Sequence, residues 1–313
     1  MFPKIAAIVL ALMVSLSAAT PAWADAKQDY NRGLAADQAG NMAEAAVWFR
    51  KAADQGLAPA QGILGLLYAN GKGVTQDDEQ AVIWYRKSAD QGFAPAQDAL
   101  GYMYAGGKGL KQNYAQAVIW FRKSAEQQYP QGQVNLGLLY ASGKGVAHDF
   151  KQAAFWFRKA ADRGFAPGQF NLGVLFEDGD GVTKNDGKAV AWYRKAADQG
   201  YADAENNLGV MFESGDGIKH DFKQAALWFR KAADEGAAAA EDNLGMMYAH
   251  GNGVTQDFVE AYKWFAIAVA NGDAGAMKNR DVTAKQMTPA QIAEAQARMR
   301  DWMAAFAMRK KPQ

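Results

Sequence analysis

The chain has 313 residues, with 34 Lys and Arg against 33 Asp and Glu and no cysteine. That balance lacks the basic excess of a dedicated nucleic-acid binder, and the missing thiols exclude disulfides, zinc–thiolate sites and thiol catalysis. A chain of this length has enough residues for a long continuous core, which must be held by packing alone.

The first element is a targeting segment. Lys4 supplies a positive start, Ile5 to Val14 form an unbroken apolar run, and Ala22-Trp23-Ala24 fits a small-x-small cleavage site before Asp25. The run is too short for a membrane anchor, so residues 1–24 read as a signal peptide, with a retained N-terminal helix as the other reading. Lys4 is the only charge in this segment. No later stretch is apolar enough to span a bilayer, and no cysteine is present to carry a lipid. The exported chain is therefore expected to be soluble, periplasmic or secreted, and cleaved near Ala24.

From there a tryptophan recurs every 36 residues, at Trp48, Trp84, Trp120, Trp156, Trp192, Trp228 and Trp264. Gly65, Gly101, Gly137, Gly173, Gly209 and Gly245 keep the same step, as do Gly73, Gly109, Gly145, Gly181, Gly217 and Gly253. A fixed period of this size signals a solenoid, in which each unit buries its apolar face only against its neighbours. Within one unit, Ala60, Leu64, Leu67 and Tyr68 sit at helical spacing. Gly71-Lys72-Gly73-Val74 then breaks the pattern, and Ala81, Trp84, Tyr85, Ser88 and Ala89 make a second stripe. Both stripes fit a 3.6-residue period, so the unit is helix, turn, helix. Asp77, Asn113, Asp149, Asn185, Asp221 and Asp257 precede the second helix as candidate N-caps. Gly56, Gly92, Gly164, Gly200, Gly236 and Gly272 follow it as left-handed stops.

The string Leu64-Gly65-x-x-Tyr68, the Gly-x-Gly-Val turn and Ala81-x-x-Trp84-Tyr85-x-Lys87-x-Ala89 with Gly92 resemble the Sel1-like repeat, a longer-looped relative of the tetratricopeptide repeat. The resemblance covers roughly residues 27–272, with 27–56 as a shortened first unit. It implies an all-α, right-handed α-solenoid that binds proteins or peptides, in an exported bacterial member of the family with no enzymatic activity. The expected organisation is a signal peptide over 1–24, about seven repeats over 25–272, and a capping helix with a basic tail over 273–313.

Three departures stand out. Gln128 replaces the glycine of the third junction, predicting an altered turn near 127–132. Gly132 and Gly168 replace the small alanine of Ala60 and Ala96, predicting looser first helices there. After Gly272 the pattern ends, and Thr288-Pro289 offers a helix start. The helix over 290–307 places Ile292, Ala295, Met299, Trp302, Met303 and Phe306 on one side, a cap for the last repeat.

Candidate chemistry is sparse. Gly71-x-Gly73 follows a helix, whereas phosphate loops follow a strand, and no Gly-Lys-Ser/Thr accompanies it. His148 and His220 hold the same repeat position two units apart, about 20 Å if units advance by ordinary helix spacing, so one metal cannot join them. Arg50, Arg86, Arg122, Arg158, Arg194 and Arg230 each precede an acid by four residues and read as a solvated ion-pair face. No catalytic residue, metal site or cofactor is expected.

The informative positions vary while their neighbours repeat. Counting 100° per residue from Leu64 and Tyr68, position 66 of the first helix faces away from the core stripe. It reads Leu66, Tyr102, Leu138, Val174, Val210 and Met246. This row either packs against the adjacent repeat or lines an exposed groove. The next variable position turns acidic only at Glu177 and Glu213. Tyr102, Leu138, Val174, Glu177 and Glu213 are therefore the candidate binding residues, for a protein or peptide partner taken on the concave face. The rival reading is a cell-wall-active or β-lactam-hydrolysing enzyme of the kind linked to cysteine-rich relatives. It finds no cysteine here, and Ser88 and Ser124 follow Lys87 and Lys123 where a Ser-x-x-Lys order is needed.

Overall fold

The structure, a computed structural model, describes residues 21–309; most of the expected signal segment over 1–24 and the end of the basic tail lie outside the described residues. Among the described residues there are sixteen α-helices and no strand. The chain begins with α1 (Pro21–Gln38) and α2 (Met42–Asp54). The full units follow as α3 (Ala58–Asn70) with α4 (Asp78–Asp90), α5 (Ala94–Gly106) with α6 (Tyr114–Glu126), and α7 (Pro130–Ser142) with α8 (Phe150–Asp162). Then come α9 (Ala166–Asp178) with α10 (Asp186–Ala197), α11 (Ala202–Ser214) with α12 (Phe222–Asp234), and α13 (Ala238–His250) with α14 (Phe258–Ala270). The chain closes with α15 (Ala276–Ala284) and α16 (Pro289–Arg309). Two compact units divide it, one ending at Ala160 and the next beginning at Ala161.

Helix ends form where the caps were expected. Asp77 accepts from the Gln80 amide at 2.9 Å, Asn113 from Gln116 at 3.1 Å and Asn185 from Lys188 at 2.8 Å. Each satisfies one of the free N–H groups of the first turn.

Each hairpin is closed by a glycine seated on a ring. A Cβ on Gly65 would stand 2.7 Å from the Tyr85 ring, and one on Gly101 would stand 2.7 Å from the Phe121 ring. The same seat joins Gly137 to Phe157, Gly173 to Tyr193, Gly209 to Phe229 and Gly245 to Phe265. Tyr85, Phe121, Phe157, Tyr193, Phe229 and Phe265 are all buried. Consecutive hairpins are tied by the Gly-x-Gly turns. Gly73 has φ +70°, and a Cβ there would lie 2.1 Å from the Met42 carbonyl oxygen at the start of α2.

Two expectations are corrected. Gln128 keeps the left-handed conformation, at φ 64°. The turn around it repeats the bonds of its neighbours: the Gln128 amide donates to Ala125 at 2.9 Å as Gly92 does to Ala89. Gly132 does not loosen α7, since a Cβ there would fall 2.5 Å from the Ser124 hydroxyl. The glycine lets α7 close onto α6.

The C-terminal helix begins as expected, with Thr288 accepting from the Gln291 amide at 3.3 Å. It packs on α14: Ala295 is buried, Trp302 meets Trp264 edge-on at 5.4 Å, and Arg298 bridges to Glu260 at 2.8 Å. The short α15 before it had no counterpart in the sequence reading.

Gly101→Ala should destabilise the protein by about 1–3 kcal/mol, because the added methyl overpacks against Phe121. Gln128→Gly should stabilise it by about 1 kcal/mol by relieving the left-handed strain. Urea denaturation of both variants beside the parent measures these opposite signs.

Candidate binding surface

Around each glycine seat, the repeat builds two polar ladders between hairpins. The first is the arginine row. Arg86 on α4 donates to the Tyr104 hydroxyl on α5 at 2.6 Å, and Arg122 on α6 to Tyr140 on α7 at 2.7 Å. Arg50 and Arg230 reach Tyr68 and Tyr248 in the same way. Arg50 also lies 5.5 Å from the Trp84 ring centre. The ion-pair face expected for these four arginines is therefore corrected. They bridge hairpins through a phenol, Arg50 and Arg230 also over a tryptophan ring, and none of them forms an ion pair with the acid four residues on.

The second ladder is buried and amide-based. Gln61 donates to the Ala53 carbonyl at 3.1 Å and accepts from Gln91 at 2.7 Å. Gln97 repeats the pattern with Ala89 and Gln127, and Gln169 with Ala161 and Gln199. In α11 and α13 the same position becomes Glu205 and Glu241. Burial raises both carboxyls, Glu241 to about 7 despite the hydrogen bond from Asn271.

With the core and ladders accounted for, position 66 faces outward. In the first unit, Tyr102 is 42 % and Leu138 43 % exposed, while Leu66 is buried at 8 %. In the second unit, Val210 is 38 % exposed, with Val174 and Met246 half-buried. Of the two readings of this row, exposure holds for Tyr102, Leu138 and Val210 and packing for Leu66. The structure thus sets Tyr102 and Leu138 in one unit and Val174, Glu177 and Glu213 in the other.

The two acids differ. Glu177 accepts a hydrogen bond from the Tyr193 hydroxyl, whose ionisation is pushed up by burial first and then by that carboxylate. Glu177 therefore satisfies a buried phenol as well as carrying charge. Tyr85 holds the equivalent place in α4, where Ala69 offers no such acceptor, and its hydroxyl is buried without a partner. Glu213 is half-buried beside Phe212. Where the acids appear, the preceding residue is Phe176 or Phe212 in place of the tyrosine of the ladder.

Two features were missed in the sequence. One is a second exposed apolar row on the second helices: Val47, Ile83, Ile119, Phe155 and Leu227 are each exposed, immediately before the tryptophan. Their 36-residue step was legible. The other is the buried acid Asp98 on α5, which accepts from Asn135 at 2.8 Å and is pushed up to about 7 by burial. At the same repeat position the second unit has Asn206, bonded by Asn243 at 2.9 Å. Among the described residues no group of three acids or histidines could hold a metal, and no helix is long and apolar enough to cross a membrane.

The Sel1 repeat family matches seven times, over residues 26–57, 58–93, 94–129, 130–165, 166–201, 202–236 and 238–273. A solved Sel1 repeat protein from Oxalobacter formigenes is similar at 31 % identity and TM-score 0.71, covering 77 % of this chain and 96 % of that one. A protective antigen of uropathogenic Escherichia coli with an SLR fold, c5321, is 27 % identical over 99 % of this chain and 98 % of its own, with TM-score 0.41. A Sel1 repeat protein from Klebsiella pneumoniae is 22 % identical over 64 % of this chain and 98 % of its own, with TM-score 0.46. No curated protein matches the sequence.

Asp98 makes a testable case. Its carboxyl is raised in the folded state, so its contribution to stability is full below the unfolded value near 4 and is lost as pH rises through 7. The Asp98→Asn variant, which copies Asn206, should be more stable than the parent at pH 8 by at least about 1 kcal/mol. That gap should narrow at pH 5. Chemical denaturation of both proteins at the two pH values gives the comparison.

Proposed function

Because the chain belongs to the Sel1 repeat family, whose members are generally non-catalytic protein-interaction scaffolds, we propose that it is a bacterial envelope adaptor that binds a protein or extended peptide. Each unit offers its own apolar stretch on the outward face of the first helices, Tyr102 and Leu138 in one and Val174 and Val210 in the other. In the second of these, Glu177 and Glu213 favour positive charge in the segment bound there.

The observation that carries this reading is the exposure of Tyr102, Leu138 and Val210 at a position the fold leaves free to vary. Tyr102 stays 42 % exposed although Lys108 lies 5.5 Å from its ring centre. At an interface the same ring supplies large contact area at low entropic cost. The repeat makes the surface, and the variation within it selects the partner. Recognition then needs shape, apolar area and charge, with no reaction on the ligand. Export by cleavage near Ala24 completes the proposal and leaves α1 starting from Asp25.

Photo-crosslinking in intact cells tests the surface. A crosslinking residue placed at 102 or 138 should give one discrete adduct, and one at Ile119 on the second helices should not. Tyr102→Ala should lower the yield from position 138, and Glu213→Lys that from a crosslinking residue at 210, at least tenfold while melting temperature stays within a few degrees. An adduct from position 119 that persists in both variants would assign binding to the second-helix row instead. Glu177 is unsuitable for the charge test, because its replacement also strips the acceptor from Tyr193.

A further inference from the structure

The arginine row and its acid stop at α14. Where Arg230 and Asp234 stand on α12, α14 has Ala266 and Ala270. The helix that follows is also short: α15 has 9 residues, against 13 for each first helix of the full repeats from α3 to α13. Two long side chains and a turn of helix are thus missing where the next repeat would pack. The result is a cleft of about 440 Å³ between α14, α15 and α16. That volume lies within the usual range of small-molecule sites, roughly 300–1,000 Å³.

The cleft is chemically two-sided. Tyr262 and Ala266 are buried in it, and Val269 and Met299 add apolar wall. Arg280 and Arg300 also line it, and no acid does. Arg280 is held by Asp281 at 2.8 Å. Arg300 is exposed and makes no ion pair among the described residues. The nearby Arg298 is already committed to Glu260 and Glu294. An apolar recess with one uncommitted guanidinium at its edge and no competing carboxylate suits an amphipathic monoanion. Burying an alkyl chain on the recess is favourable by the area removed from water, and a guanidinium binds a carboxylate through two parallel hydrogen bonds.

We propose that this cleft is a binding site for a medium-chain aliphatic carboxylate, with its chain against Tyr262, Val269 and Met299 and its head on Arg300. A ten-carbon carboxylate fits within this volume. The site is a separate surface from that of Tyr102, Leu138 and Glu213, so each reading stands or falls without the other.

Titration calorimetry on the exported chain, with decanoate below its micellar concentration, tests the assignment. Decanoate should bind with one-to-one stoichiometry. Arg300→Ala, an exposed change, should weaken binding at least tenfold. Ala266→Arg, which restores the residue of the other repeats, should abolish it while circular dichroism remains that of the parent. Decanol should bind at least tenfold more weakly than decanoate. Absence of decanoate binding to the parent would overturn the proposal, as would unchanged affinity in Arg300→Ala. Decanol binding as tightly as decanoate would also overturn it, by reducing the cleft to a nonspecific apolar gap. If Ala266→Arg fails to fold, Met299→Trp fills the same recess from α16 and must give the same loss.

Discussion

A glycine pressed against the face of an aromatic ring is the contact from which every hairpin is built. With no Cβ at Gly101 or Gly137, the first helix approaches the second closely enough to bury Phe121 or Phe157. Any larger residue pushes the helices apart along their length, and close-packed interiors do not absorb such a shift locally. The separation set by that seat decides what else can meet. It brings Gln91 within hydrogen-bond reach of Gln61, and the Ser88 hydroxyl onto the Ala58 carbonyl at 2.7 Å. A repeat without thiols holds its hairpins with shape complementarity in place of disulfides.

Between hairpins the chain adds polar ties to a continuous apolar core. The arginine–tyrosine bridge and the buried amide ladder run in the same register, and neither disturbs the outward face of the first helices, although Gln133, Glu205 and Glu241 each keep one buried oxygen without a partner. That separation permits specialisation. When Tyr becomes Phe at 176 and 212, the bridge loses its phenol, and the neighbouring residue becomes Glu177 or Glu213. The structural task moves with the change, since Tyr193 then finds its acceptor in Glu177. In the proposed function, recognition and stability therefore meet in one carboxylate at Glu177 and are separated at Glu213.

Much of this architecture was legible because it is periodic. The helix pairs, the Asp and Asn caps, the glycine stops and the start of α16 at Thr288 follow from local rules that act within one unit. What was not legible depends on the offset between units. Arg86 lies four residues from Asp90, which suggests a pair on one helix, but its guanidinium is closer to Tyr104 on the next hairpin. Spacing within a helix carries no information about that distance. Gln128 misled for another reason: the surrounding packing enforces the left-handed turn whether or not the residue prefers it. The helix α15 was missed because it is short and weakly amphipathic. The exposed position of Tyr102 followed from helical geometry alone, but the choice between a packed and an open row needed the neighbouring hairpin.

The seams are also interchangeable. The surface that residues 58–93 offer to 94–129, with Gln91, Arg86 and Gly92, is matched by the surface that 94–129 offers onward, with Gln127, Arg122 and Gln128. Removing or copying one block of this length would join like to like at the glutamine and arginine positions. Recombination between repeated blocks can therefore change the number of first helices in the row in whole steps, while the glycine seats stay as they are. The reach of the proposed binding surface becomes a heritable integer, tuned separately from the chemistry of any one position along it.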